Sequence, residues 1–265
     1  MKFRQFPNSV LLVALLAAPG PAFGWGAEGH EIAAGVALRE LTQASRQQVA
    51  DLLGGEAMLV EQSNWADEIK DRRRDTARWH FVDIPLSAPA YVAERDCPHD
   101  DCVVAQIEAD VQALRNKRLD KAARAQALMF LIHFLADVHQ PLHAEDDDDR
   151  GGNEVRVQIG RERANLHRVW DADVVEALGL DPDAVAAGIE RAITPGQRAA
   201  WTHGTPADWA NEAHAIARDQ IYPPLRGQRK LRLPRDYAWR EAPVARIQLA
   251  KAGVRLAWLL NTTLK

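Results

Sequence analysis

Residues 125–143 limit what this chain can fold into more than any other stretch. They read Ala125-Gln-Ala-Leu-Met-Phe-Leu-Ile, then His133-Phe-Leu-Ala-Asp-Val-His-Gln-Pro-Leu-His143. Leu128, Leu131, Ile132 and Leu135 recur at helical spacing and mark a core face, while His133 and Asp137, four apart, share a second, polar face. That second face is expected to be buried as well. An imidazole and a carboxylate buried together are costly unless something compensates both, and a divalent cation compensates both at once. The alternative is a core histidine beside a helix-end aspartate, with no metal. Pro141 ends the helix and leaves His143 just beyond it.

The chain has 265 residues, 47% hydrophobic and 26% charged, which suits one compact domain with a large core. Residues 1–24 read as a secretory signal: Lys2 and Arg4, the apolar run from Val10, then small residues around Ala22-Phe-Gly24. The run is too short to anchor in a bilayer, and no other segment is apolar enough to span one, so no stable membrane association is expected. Cleavage after Gly24 would give Trp25 a free amino group, leave residues 25–265 as the mature domain, and place the protein in the periplasm or outside the cell. Removing Lys2 and Arg4 from the 33 basic residues leaves 31 against 37 acidic ones. Such a balance excludes a tight, sequence-independent duplex binder. Cys97 and Cys102 enclose Pro-His-Asp-Asp; in an oxidising compartment a loop-closing disulfide is the expected state, and metal binding together with His99 is the alternative.

The pattern is helical almost throughout. Amphipathic helices are expected over Glu31–Leu41 and Ala44–Leu53, the latter capped by Thr42 and stopped by Gly54-Gly55, and a short one over Asn64–Asp71. Trp79-His-Phe-Val-Asp-Ile-Pro85 reads as extended. Further helices cover Val103–Asn116 and Lys121–Val138. Glu145 to Asp149 is an acidic run expected to be a solvated loop, with calcium as an alternative occupant. Val155, Val157 and Ile159 alternate around Gly160 as a small hairpin. Asn165 opens another helix, followed by Pro182–Ile193, Pro206–Arg218, a proline- and arginine-rich connection from Pro223 to Pro234, and Val244–Leu260. The reading is a mainly α, single-domain fold with a small β-hairpin.

His133 with Asp137 and His167 with Asp171 both have helical spacing, but nine histidines among 37 acidic residues give about 1.3 such pairs by accident. Their company is more telling. His30 follows closely on Trp25, Asp67 ends Asn64-Trp-Ala-Asp, His80 lies among aromatics, and His143 follows a helix stop, all at element ends where side chains converge on a cleft. His99, His139, His203 and His214 read as surface or hydrogen-bonded core.

Taken together, Trp25 with His30, Asn64-Trp-Ala-Asp67, Trp79-His-Phe-Val-Asp83, His133-x-x-x-Asp137 with His143, Gly151-Gly-Asn153 and Asn165-Leu-His167-x-x-Trp-Asp171 resemble the zinc-dependent single-strand-specific nucleases. These are the plant bifunctional nucleases and their fungal and bacterial relatives, which share a fold with zinc phospholipase C. The resemblance runs from Trp25 to Asp171; beyond about Leu178 the chain offers only a compatible helical pattern. It implies three zinc ions per chain: one held by Asp67, His80 and His133, a second by His143, His167 and Asp171, and a third by His30 with the amino nitrogen and carbonyl oxygen of Trp25. Asp137 would bridge the first and third.

The same resemblance implies hydrolysis of single-stranded DNA and RNA to 5′-phosphate products, with 3′-nucleotides as further substrates. Zinc ions roughly 3.5–4 Å apart lower the pKa of a shared water and clamp the phosphate for in-line attack. Asp67 would orient that water, Lys70 and Asn153 would stabilise the developing charge, and Phe81 and Asp83 would stack on and hydrogen-bond an unpaired base. The bland readings are a solvated helix lysine for Lys70, a turn residue for Asn153 and core for Phe81. Arg72 to Arg74 either track a phosphate backbone or face water. A monomer is expected. Two rivals remain: a zinc phospholipase C, which would want an apolar rim, and a non-enzymatic periplasmic zinc-binding protein.

Overall fold

Asp120 caps the helix that runs from Lys121 to Asp137, its carboxylate accepting the amide of Ala123 at 2.8 Å. From Ala127 to Asp137 nearly every side chain is buried, whichever side it faces. A helix apolar all round sits inside a protein, and this one is the centre of the fold. The computed structural model describes residues 25–225 and 227–264. The signal-peptide reading of residues 1–24 lies outside them. No helix among the described residues is long and apolar enough to cross a membrane.

Around the central helix pack Ala27–Glu40, Gln43–Leu53, Val103–Arg115 and the C-terminal Tyr237–Thr263. Thr42 and Gly54 bound Gln43–Leu53 as expected; Thr42 Oγ1 accepts from Ser45 N, and Gly54 takes the left-handed conformation that closes the helix. The first and last helices cross very closely. A Cβ on Gly253 would meet Val36 Cβ at 2.5 Å and the Ala33 carbonyl at 2.8 Å. Only a hydrogen fits there.

The apolar interior falls into two clusters. One gathers Leu59, Val82, Ile107, Leu128, Leu131, Phe134 and Leu260; the other gathers Trp25, Ile32, Leu166, Trp170, Ile189 and Leu249. Each fully buried large side chain contributes about 1.5–3 kcal/mol, so either cluster alone is a substantial core. Asp67 and His133 have neighbours in the first, His167 and Asp171 in the second. The ligand candidates therefore lie along the seam.

Three expectations need correction. The hairpin of β1 (Arg156–Ile159) and β2 (Glu162–Asn165) gains a third strand, β3 (Lys230–Leu233), parallel to β1, from the segment read as a connection. Its Lys-Leu-Arg-Leu alternation puts Leu231 and Leu233 against the second core cluster. Trp79 and His80 are not extended but close a 3₁₀ turn, Arg74–His80, because Thr76 turns both its amide and its hydroxyl onto the Arg73 carbonyl; the chain extends only from Phe81. The acidic run is not a solvated loop. Glu145 and Asp149 are buried, with Tyr222 Oη 2.6 Å from Glu145 Oε1 and 2.9 Å from Asp149 Oδ2, and Arg229 donating to Asp149 and Asp147. The expected disulfide is present: Cys97 and Cys102 are bonded to one another and His99 is exposed, which removes the metal alternative at that loop.

Candidate metal centre

Eight side chains from six segments meet where the two clusters adjoin. His30 comes from the first helix and Asp67 from the short helix Trp65–Ile69, while His80 ends the 3₁₀ turn. His133 and Asp137 face the same way from the central helix, one turn apart. Gln140 then caps the 3₁₀ turn Pro141–His143, accepting Leu142 N at 2.6 Å, and so aims His143 back. His167 and Asp171 lie on the helical segment 166–176, which widens to a π-turn over Val169–Asp173. Widened turns of this kind are frequent at functional sites.

Asp137, with no exposure, is the hub. Its Oδ2 lies 3.0 Å from His80 Nδ1 and 3.2 Å from His133 Nε2, and its Oδ1 lies 3.5 Å from both His30 Nε2 and His143 Nδ1. Asp67 approaches His80 and His133 at 3.7 and 3.8 Å. On the far side His143 Nε2 and His167 Nε2 face each other at 3.1 Å, with Asp171 3.4 Å from His167. The ligand atoms sort into three trios, each with its atoms within 4.8 Å of one another: His30, His133 and Asp137; Asp67, His80 and His133; His143, His167 and Asp171.

Three of the imidazoles are oriented from behind. His133 Nδ1 donates to the Ser63 carbonyl at 2.7 Å, His143 Nδ1 to that of His80 at 2.8 Å, and His167 Nδ1 to that of Gly151 at 2.6 Å. Each bond puts the free lone pair on Nε2, aimed inward, as metal-binding histidines are usually held. Gly151 has φ +62°, and a Cβ there would run into the Leu142 carbonyl at 2.4 Å, so glycine is required for that carbonyl to reach His167. Gln140 Nε2 donates to Asp171 Oδ1 at 2.7 Å and fixes that carboxylate.

What the cluster lacks is partners. Both ring nitrogens of His30, Nε2 of His80 and Oδ1 of Asp137 are buried with no hydrogen bond. Each such group costs about 1–3 kcal/mol if left unpaired, a total a domain does not carry without cause. Burial, reinforced by His133, drives His30 down to about 3. At His133 burial acts the same way, but Asp137 and Asp67 outweigh it and carry the ring up to about 9. Two stacked imidazoles 3.9 Å apart thus prefer opposite protonation states, a conflict that a shared divalent cation removes. Nitrogen and oxygen donors in threes suit zinc with an open position; calcium would want six to eight oxygens. The residues fit a metal cluster.

Beside the cluster, Lys70 Nζ lies 3.1 Å from Asp67 Oδ1 with its side chain only 16% exposed, which is not the solvated position of the bland reading. Asn153 donates its amide to the Arg150 carbonyl at 2.8 Å and shares a cleft wall with His167 and Asp171. Phe81 and Asp83 are half-buried on one side of the extended segment, Val82 and Ile84 buried on the other. Arg78 joins them, its guanidinium 5.5 Å from the Phe81 ring centroid and 3.2 Å from Asp83. Burial raises the Asp83 carboxyl despite that pair.

The chain matches the family described as S1/P1 Nuclease over residues 25–265. It belongs to the S1/P1 nuclease family. Relatives align over nearly their whole length. Endonuclease 2 of Arabidopsis thaliana is 29% identical over 95% of this chain and 94% of its own. Nuclease S1 of Aspergillus oryzae is 28% identical over 93% and 94%, and Nuclease P1 of Penicillium citrinum 29% over 89% and 97%. The fold is mainly helical with a small sheet, and nuclease membership makes the cluster part of a hydrolase acting on nucleic-acid esters.

In this S1/P1 nuclease chain the remaining histidines stay out of the cluster. His139 and His214 are buried with both ring nitrogens hydrogen-bonded, and His99 and His203 are exposed. Sequence reasoning missed Gln140 and Arg78. Gln140 sits inside the opening motif one residue before Pro141, where a turn-capping side chain is expected, and that is the signal that marks it.

Proposed function

We propose that the protein is an exported zinc endonuclease that hydrolyses single-stranded DNA and RNA to 5′-phosphate products and also releases phosphate from 3′-nucleotides. The observation that carries this reading is the set of buried, unpartnered polar atoms on His30, His80 and Asp137, residues that belong to the ligand trios. Residues 25–265 form the working domain. Asp67, His80 and His133 would hold one ion and His143, His167 and Asp171 another. His30 would hold the third with the main-chain nitrogen and oxygen of Trp25, and Asp137 would bridge. Trp25 is fully buried, and the amide of Gly26 donates to the Asp171 carbonyl at 2.8 Å, which keeps the start of the domain beside a ligand.

Bound there, zinc supplies Lewis-acid charge to phosphate oxygens and makes water acidic enough to attack near neutral pH. The protein groups supply position. Asp67 is poised to accept a proton-bearing edge of the attacking water while Lys70 holds its other side. Lys70 and Asn153 offer donors to the charge growing on the phosphoryl oxygens, a kind of contact commonly worth about a hundredfold or more in rate. Phe81 and Asp83 form a slot for one unpaired base, with Arg78 as its outer wall, which favours single strands because a paired base cannot enter. The monomer is sufficient, since every ligand comes from one chain.

A zinc-loaded preparation starting at Trp25 should cleave denatured DNA and RNA well and duplex DNA poorly, and Asp67→Asn should cut the rate by about a hundredfold or more. Cleavage of phosphatidylcholine without cleavage of nucleic acid would replace this reading with a phospholipase C, and metal binding with no hydrolysis of either would leave a zinc-binding protein.

A further inference from the structure

The outward face of the sheet gathers unpaired positive charge in two ordered rows. Register fixes two rows across it: Asn165, Arg156 and Lys230 side by side, then Arg163, Gln158 and Arg232. Paired residues point to the same side, so these six share the face opposite Val157, Ala164 and Leu231, which turn to the core. Four of the six are cations and two are amides. None is acidic. The rows lie about 7 Å apart along the strands, and neighbouring strands about 4.8 Å apart.

Many arginines elsewhere are neutralised: Arg39, Arg73, Arg95, Arg198, Arg218, Arg229 and Arg240 all reach carboxylates. Among the described residues Arg156, Arg163, Lys230 and Arg232 have no carboxylate within ion-pair distance. In a chain with 37 acidic residues, these four cations stand together on one face without a carboxylate partner among the described residues. The face is also continuous with the metal centre. Its residues line one open cleft of about 1820 Å³ together with Asn153, His167 and Asp171. Asn165 forms the joint, since its side-chain Oδ1 caps the segment bearing His167 by accepting from Arg168 N at 2.7 Å, and its Nδ2 donates to Asn153 Oδ1 at 3.5 Å.

Building on the nuclease reading, we propose that this sheet face is a phosphate track that holds the polynucleotide beyond the nucleotide being cleaved. The occupant is a single strand bound by its backbone. Among the described residues no Phe, Tyr or Trp lines the cleft, so bases are not stacked along the sheet and the track is indifferent to sequence. It follows that long strands are better substrates than dinucleotides and that the advantage fades with salt.

The test compares the parent with Arg156→Gln/Lys230→Gln/Arg232→Gln and with Arg156→Lys/Arg232→Lys, all zinc-loaded. Binding of a fluorescent phosphorothioate oligothymidylate about twenty nucleotides long is measured across a salt series, and kcat/KM is measured on the oligonucleotide and on a dinucleoside monophosphate. The neutral triple variant should bind the oligonucleotide about tenfold to a hundredfold more weakly at low salt, with the salt slope flatter by about two, because each phosphate neutralised on a single strand adds about 0.7 to it. Its dinucleotide kcat/KM should match the parent, and the lysine variant should stay near the parent throughout. An unchanged slope and affinity, or an equal loss on the dinucleotide, overturns the track. A parent that cleaves neither substrate refutes the nuclease reading instead, and the binding arm still decides whether the face holds a strand.

Discussion

His133 and His139 stand at the same end of the central helix and are both wholly buried, yet their surroundings differ in kind. Every atom of the His139 ring that can hydrogen-bond does so: Nδ1 donates to the Leu135 carbonyl at 2.7 Å and Nε2 accepts from Arg255 at 2.8 Å. Arg255 in turn lies over Trp209 and donates to Glu212, which Lys251 also reaches. Burial and the Arg255 charge hold His139 well below its usual range, so it stays a neutral acceptor. His133 matches it on one side only. Its Nε2 looks into other lone pairs, those of His80, Asp137 and Asp67, and that end of the ring has no proton-sharing scheme that satisfies all of them. A closed network cements a fold; an open one waits for a cation.

The comparison breaks most visibly at Asp137. Asp137→Ala should strip metal from the His30 and His133 side and lower activity by about a thousandfold or more, and chelation of the parent should do the same. Chelation should also lower the melting temperature, since a ligand at a hundred times its Kd contributes about 2.7 kcal/mol. Elemental analysis and a thermal melt check both, and retained zinc in Asp137→Ala would put His133 in the class of His139. Gln140→Leu is the next step down: with Asp171 no longer held, metal affinity at that trio should fall about tenfold to a hundredfold, read by competition with a chromogenic chelator.

His139→Leu should leave zinc content and kcat untouched and cost about 1–3 kcal/mol in denaturant unfolding, because Arg255 keeps its charge but loses an acceptor. The smallest effect concerns pH. Burial pushes Glu212 upward, but its bonds to Arg255 and Lys251 outweigh that and hold it below its ordinary value of 4.5. A depressed carboxyl stabilises the fold above its unfolded pKa and loses that contribution as pH falls through its folded value. Glu212→Gln should therefore be less stable than the parent at neutral pH, by roughly 1 kcal/mol for a partly exposed pair, and the two unfolding midpoints should converge as pH falls below the ordinary value of 4.5 and through the lower folded one.

How much of this the sequence carried depends on distance along the chain. His133 and Asp137 declare themselves because one helical turn brings them together, and the caps at Thr42 and Gly54 are local choices as well. The same holds for His143 behind Pro141. By contrast β3 is a four-residue alternation whose partner strand lies far upstream, and nothing within Lys230–Leu233 names Arg156–Ile159 as that partner. The helix Pro195–Trp201 went unread although Thr194 and Gln197 form a capping box, because it is short and buries none of its residues. The burial of Glu145 and Asp149 depends on Tyr222 and Arg229, whose approach is a tertiary fact. His139 was correctly kept apart from His133 only as a matter of motif; the physical reason, Arg255, lies at the other end of the chain.

The contact between Gly253 and Val36 has a consequence for anyone hunting by genetics for residues that matter to activity. The helix that rests on Gly253 is the one that carries His30. A methyl group added at 253 would shove that helix sideways and drag a ligand with it, so a screen for inactive alleles should return this glycine among the histidines, far from any substrate and with no chemistry of its own.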